Sequence, residues 1–350
     1  MERLGTPETA GRMAGAAAAF VAGLTAEQRS LACRGFGEEG RREWSFLPEP
    51  HRDGLPIGVL GGDQRRLAHE LIAASMSLPG YTKVVSVMAM EHVLRALSPG
   101  QAELFDPERY CLRVFGEPGG EVWGWQLAGH HVSLNFTVTG GQWVSPTPCM
   151  LGAQPASYGL LAPLADDEEL GFRFVNALDP AQRAAAIIHH RPPPDLAARV
   201  VPRLGEVERP DAVFVPEPDY VISDAERDIL SYVRSGPKGI AGSALTQIQL
   251  DDLAALVGSF ARRLPDEVAG AQLHALEQAG LDTLWFGWAG ATEPGQRHYF
   301  RVQGPTLLIE QDNTQDNGHH VHSAWRNPAD DFGDDVLAWH YRMEHGGPGT

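Results

Sequence analysis

The sequence predicts an α+β protein built from two similar antiparallel β meanders flanked by helices. Three observations carry this expectation. Long stretches place apolar residues at helical spacing, and others alternate apolar and polar residues between Gly-rich turns. The alternating stretches gather in two blocks, within residues 101–155 and 271–345. The second block repeats the plan of the first at an offset of 175 residues, which reads as an internal duplication.

The N-terminal region, residues 1–100, reads as helical. Residues 8–34 are Ala-rich with a fresh start signal at Thr25, and Asp63 to Met76 repeats Leu67, Leu71, Ile72 and Met76 along one face. Residues 81–97 repeat Val87, Met90, Leu94 and Leu97. Such stripes predict core. In the first β block, Tyr110–Phe115 and Val122–Leu127 read as strands, and Gly129 to Thr137 as a third. That third strand places His131, Ser133, Asn135 and Thr137 on a polar face and His130, Val132, Leu134 and Phe136 on an apolar one. Residues 156–270 read as helical, with Asp179 capping one helix and Ser223 another. They are interrupted by a run, 191–219, whose seven prolines predict a long surface excursion. In the second β block, a strand from Pro305 reaches the turn signal Asp316-Asn317-Gly318, and His319 to Trp325 returns. A helix from Asp334 to Met343 follows, with Asp331 and Asp334 as its caps. The four segments are expected to form one compact unit.

At 350 residues, 43% hydrophobic and 21% charged, the composition is globular. A net charge of −17 argues against a nucleic-acid or anionic-membrane partner, and no apolar run reaches membrane-spanning length. Three scattered cysteines without a CxxC predict reduced thiols and a cytoplasmic protein. The GxSxG, Walker and HExxH motifs are absent, and no GxGxxG follows a predicted strand.

The chemistry concentrates between Glu310 and Tyr341, which holds four of the fourteen histidines. His320 and His322 lie two apart on a strand, hence on one face, with carboxylates one strand away. Imidazole with carboxylate suits a divalent metal, and the competing reading is a hydrogen-bonded polar sheet. Glu310 is a third ligand or a general base, and hairpin register decides whether it shares the histidines' face. Asp312 reads as a turn residue bonding its own backbone, in support of the centre. His131 is a further ligand and catalytic candidate from the polar face of its strand. His130, on the apolar face, and His340, on the last helix, are candidates for an outer role. Arg301 and Arg326 could clamp an anionic group, or simply pair with nearby carboxylates. Asn135 and Trp125 are candidates for binding substrate, although tryptophan on a sheet is ordinarily packing.

These motifs also carry a resemblance. Trp44 to Pro48, Gln64-Arg65, Gly129-His130-His131-x-Ser-x-Asn135, Thr147-Pro148 and Gly152 come first. Tyr299-Phe-Arg301, Glu310-x-Asp312-Asn313, His320-x-His322-x-x-Trp325-Arg326, Asp331-Phe-Gly333 and His340-Tyr341 follow. In this order they resemble a mainly bacterial family, the domain-of-unknown-function group numbered thirty-five hundred. The resemblance spans nearly the whole chain and implies that these polar motifs belong together. It implies no particular reaction. Asn327 departs from the acidic residue expected after Trp-Arg.

The sequence therefore predicts a mononuclear metalloenzyme acting on a small organic molecule, anionic where Arg301 or Arg326 clamps it, in a cleft between the meanders. Iron or copper with oxidase- or oxygenase-type chemistry is preferred to zinc-dependent hydrolysis. The rival from another class is a non-catalytic protein that binds a small ligand. Substrate and oligomeric state are not legible.

Overall fold

The computed structural model describes residues 3–198, 200–210 and 219–344, without the side chains at 339 and 342–344. Its contacts divide the chain into two compact units. The first comprises residues 1–149, 261–275 and 329–350, and the second residues 150–260 and 276–328. Both mix helices with an antiparallel meander, so the chain is α+β.

In the first unit, helix α1 (Pro7–Ala22) buries Ala10, Met13, Ala17 and Phe20. Helix α2 (Ala26–Ala32) starts at Thr25, as its start signal predicted, and the Thr25 hydroxyl and Gln28 form a reciprocal cap. Helix α3 (Gly62–Ser75) and helix α4 (Leu78–Leu97) follow. The apolar stripe of α4 buries Val87, Met90 and Leu94, and Glu91 lies buried within the same stripe. Leu97, expected on that face, is exposed. The meander is β1 (Cys111–Phe115), β2 (Val122–Gly129), β3 (Val132–Thr139) and β4 (Trp143–Ser145).

Every residue of β3 is buried, so the strand has no solvated polar face. Its polar side chains instead hold crossing backbone. Thr137 Oγ1 donates to the Phe332 carbonyl at 2.9 Å, and Asn135 Nδ2 to the Pro148 carbonyl at 2.7 Å. Buried hydroxyls and amides need such partners. The helix Asp334–Glu344 closes the unit. Asp330 ties its start, accepting from the Val336 N–H at 2.9 Å.

In the second unit, α5 (Ala165–Ala177) and α6 (Pro180–Ala186) precede the short strand β5 (Ile187–His189). Helix α7 (Asp224–Leu230) starts at Ser223 with a reciprocal cap to Glu226. The meander is β6 (Trp285–Gly290), β7 (His298–Gly304), β8 (Leu307–Gln315) and β9 (His320–Arg326). Positive φ at Asp316, Asn317 and Gly318 makes the β8–β9 connection, as the turn signal predicted. Phe172 and Phe174 of α5 pack against Phe286, Trp288 and His298 on one face.

The opposite face carries Tyr299, Arg301, Glu310, Asp312 and His322, all buried. It is covered by the start of the Pro-rich run. Pro192 to Ala198 is buried there, which corrects the expected surface excursion for that stretch, whereas 202, 203, 205–207 and 209 are exposed. Residues 199 and 211–218 of that run lie outside the described residues.

The two meanders share their hairpin register. Adding 175 to the β2–β3 pairs Gly129↔Val132 and Trp125↔Phe136 gives the β7–β8 pairs Gly304↔Leu307 and Phe300↔Gln311. Among the described residues, no helix is long and apolar enough to cross a membrane.

Candidate metal centre

The register of β8 with β9 sets the centre. Asp312 stands directly opposite His322, and Glu310 opposite Ala324. Residues paired across antiparallel strands project to the same face, so Glu310, Asp312 and His322 share one. His320 pairs with Gln315 after a register shift that follows Asp312. Its half-buried ring lies 4.6 Å from that of His322, at 75°.

Onto this face folds the buried segment Pro192 to Ala198. Its irregular backbone can be buried because Pro192, Pro193 and Pro194 bring no N–H donors. The N–H groups of the three residues after Asp195 all meet carboxylate oxygens. The Leu196 N–H donates to Asp195 Oδ1 at 2.7 Å, Ala197 N–H to Glu310 Oε1 at 2.7 Å and Ala198 N–H to Glu310 Oε2 at 2.9 Å. Tyr299 Oη adds a 2.6 Å hydrogen bond to Glu310 Oε1. Glu310, expected as a ligand or base, is here the anchor of this segment.

Asp195 completes the group. Its Oδ1 lies 2.8 Å from His322 Nδ1, and its Oδ2 accepts from Gln315 Nε2 at 3.3 Å. Asp312 accepts from the Thr314 N–H at 3.2 Å and from Thr314 Oγ1 at 2.8 Å, the self-bonding expected of it. Asp195, Asp312 and His322 each offer a ligand atom, and these atoms lie within 4.8 Å of one another. The group could hold a metal ion. Its donors are two carboxylates and one imidazole, all buried.

The electrostatics fit a cation. Burial pushes the Asp312 carboxyl well up, and neighbouring Asp195 pushes it further. Burial also raises Glu310, against the hydrogen bonds from Tyr299 and Ala198 and the Arg301 charge. Two carboxylates this close in a dry site take up a proton or a cation.

The remaining predicted residues are placed as follows. Arg301 is buried opposite Glu310 and donates from Nη1 to the Leu230 carbonyl at 3.0 Å. Arg326 is buried opposite Leu308. In the first unit, Trp125 is wholly buried and stacked on Phe136, with ring centroids 5.1 Å apart. His340 Nε2 lies 3.0 Å from Glu121 Oε1. His130 and His131 are not strand residues: β2 ends at Gly129 and β3 begins at Val132, so the two histidines form the turn between them. His131 takes φ 62° there, a conformation few non-glycine residues adopt. Simple alternation, continued through the turn, placed His131 on a strand face it does not occupy.

Asp195 and Glu91 escaped the sequence reading. Asp195 sits in a Pro-rich run, where composition suggests solvent; Glu91 was legible as a carboxylate inside the apolar stripe of Val87, Met90 and Leu94.

No curated protein and no solved structure matches the chain. A family model does: residues 6–334 match the family described as "Protein of unknown function (DUF3500)", and the chain belongs to that family.

Proposed function

We propose that the chain is a metal-dependent enzyme acting on a small organic molecule, with the ion held by Asp195, Asp312 and His322. The observation that carries this reading is the convergence of those three buried side chains on one face, with ligand atoms within 4.8 Å. Two buried carboxylates around one imidazole are costly without a cation. The donor set suits iron, manganese or zinc better than copper, which narrows the earlier preference for iron or copper. Oxidase- or oxygenase-type chemistry remains the preferred class and zinc-dependent hydrolysis the alternative. Iron would supply a position for dioxygen, whereas zinc would supply an acidified water. Half-buried His320, beside His322, is placed to hold or pass a proton. Glu310 keeps the covering segment in position and takes no part in the reaction.

One observation favours the rival reading of a non-catalytic ligand-binding protein. Both oxygens of Asp195 and of Asp312 already accept hydrogen bonds or face His322, so the network closes without an ion. Elemental analysis separates the two. The chain is stripped with chelator, reconstituted in turn with Fe²⁺, Mn²⁺ and Zn²⁺, desalted and measured, beside Asp312→Asn and His322→Ala. The proposal expects retained metal that both variants lose while folded. Equal metal in wild type and both variants, or none in any of them, would overturn it.

A further inference from the structure

We infer a second divalent-cation site in the first unit, formed by Glu91, His130 and His131. It does not rest on the centre proposed above and stands whether or not that centre binds metal.

The turn between β2 and β3 is unusual for a hairpin connection. Two-residue turns normally project into solvent, yet His130 is 8% exposed and His131 2%. The surroundings fix both. The His131 N–H donates to the Phe46 carbonyl at 2.9 Å, and Tyr110 Oη donates to the His130 carbonyl at 2.7 Å. The His130 ring stacks on Phe105 at 5.3 Å and on His131 at 3.7 Å. Two imidazoles are thus held side by side inside the protein.

The carboxylate that meets them comes from α4. Glu91 is 2% exposed, and its Oε1 lies 2.6 Å from His130 Nδ1. Its other oxygen, Oε2, is buried with no hydrogen-bond partner among the described residues. A buried carboxylate oxygen left without a donor is costly, and a cation removes that cost. A plain Glu91–His130 ion pair accounts for Oε1 and leaves Oε2 unexplained.

The three residues offer ligand atoms within 4.8 Å of one another, all in buried side chains. Ligands at about 2.0–2.2 Å from one ion stand up to roughly 4 Å apart, so a small closure suffices. Two imidazoles and one carboxylate form a donor set for a borderline divalent transition-metal ion such as Zn²⁺, Fe²⁺ or Co²⁺. Glu91 and His130 would meet the ion through a carboxylate oxygen and Nδ1, and their 2.6 Å contact would open to about 3 Å on ligation.

The test uses Co²⁺ as the probe and the full chain carrying Asp195→Asn and Asp312→Asn, so that the other centre is disabled. Titration followed by visible absorption is expected to show one equivalent bound, with ligand-field bands of nitrogen and oxygen ligation. Adding Glu91→Gln, which keeps a hydrogen-bond acceptor for His130, is expected to weaken Co²⁺ at least ten-fold. In the otherwise wild-type chain with ¹⁵N-labelled histidine, Co²⁺ is expected to shift the His130 and His131 ring signals. That measurement needs no substitution at the site. Ring signals unmoved by Co²⁺, or binding unchanged by Glu91→Gln, would overturn the site. Loss of metal in the Asp312 variant alone speaks only to the other centre.

Discussion

Asp312 and His322 face each other across β8 and β9 at the register position that Thr137 and Ser145 occupy across β3 and β4. In the first unit that pair holds chain: Thr137 bonds the Phe332 carbonyl, and Ser145 Oγ donates to Asp330 Oδ2 at 2.8 Å. In the second unit the same position carries a carboxylate and an imidazole. One scaffold position thus serves anchoring in one meander and ligand chemistry in the other. The expected consequence is energetic coupling. In chelator, His322→Ala leaves Asp195 and Asp312 buried without the imidazole between them, and is expected to cost about 3 kcal/mol. Adding Asp312→Thr removes one of the two charges. The double variant is expected to be more stable than the sum of the single effects by about 1–3 kcal/mol. Urea denaturation of the four proteins of the cycle measures this, and simple additivity would count against a coupled group.

Glu310 is expected to matter for folding rather than for metal. Its two oxygens receive Tyr299 and the N–H groups of Ala197 and Ala198. Glutamine at this place turns an NH₂ toward one of these donors. Glu310→Gln is therefore expected to cost about 2–3 kcal/mol, and Tyr299→Phe about 1–2 kcal/mol. Metal content after reconstitution should match wild type in both. A Glu310→Gln protein of full stability that has lost its metal would restore Glu310 as a ligand.

Much of this arrangement was legible because a hairpin is a local object. The Asp316-Asn317-Gly318 turn fixes the β8–β9 register, and register places His322 opposite Asp312. The residues that complete each group were not legible, because they arrive from distant segments. Asp195 reaches His322 across 127 positions of sequence, and Glu91 reaches His130 across 39. The Pro-rich run misled for a physical reason. Proline marks irregular chain, which is usually solvated because its N–H groups need water. A run of prolines lacks those groups, and that lack lets Pro192 to Pro194 be buried. For Glu310 the carboxylate near histidines was legible, while the backbone donors it accepts from lie more than a hundred residues away in sequence.

Asp330 gives a pH dependence with a defined sign. Burial raises its carboxyl to about 6, against hydrogen bonds from the Val336 N–H and Ser145. The folded state therefore binds this proton more tightly than the unfolded chain does. The stability it contributes is fully present below its ordinary value of 3.8 and is lost as pH rises to about 6. The change amounts to about 3 kcal/mol. Asp330→Asn keeps an acceptor for Val336 and has no charge to bury. Its stability relative to wild type is expected to rise between pH 4 and pH 7 by up to that amount. Urea midpoints at four pH values across this range measure it; parallel curves would mean that Asp330 ionises as readily folded as unfolded.

The last prediction concerns the helix that carries Glu91. Ser77 caps α4, accepting from the Gly80 N–H at 3.0 Å. The Ser77 N–H donates to the Arg263 carbonyl at 2.9 Å, and its hydroxyl to the Arg262 carbonyl at 2.6 Å. This clasp brings the backbone of residue 263 onto Gly80. A methyl group there would stand 1.9 Å from the Arg263 carbonyl oxygen, and backbone cannot yield as a side chain can. Alanine in a helix normally gains about 1 kcal/mol over glycine. At Gly80 the forced separation outweighs that gain, so Gly80→Ala is expected to be destabilising by about 2–3 kcal/mol through overpacking and weakened clasp hydrogen bonds. Gly15, exposed in α1 with nothing near its would-be methyl group, is the control. Gly15→Ala is expected to stabilise by about 0.5–1 kcal/mol. Opposite signs for two substitutions of identical chemistry would locate the effect in the approach of residue 263. A stabilised Gly80→Ala protein would show that α4 can shift away from that backbone at little cost, and that Glu91 is not held rigidly against the histidine turn.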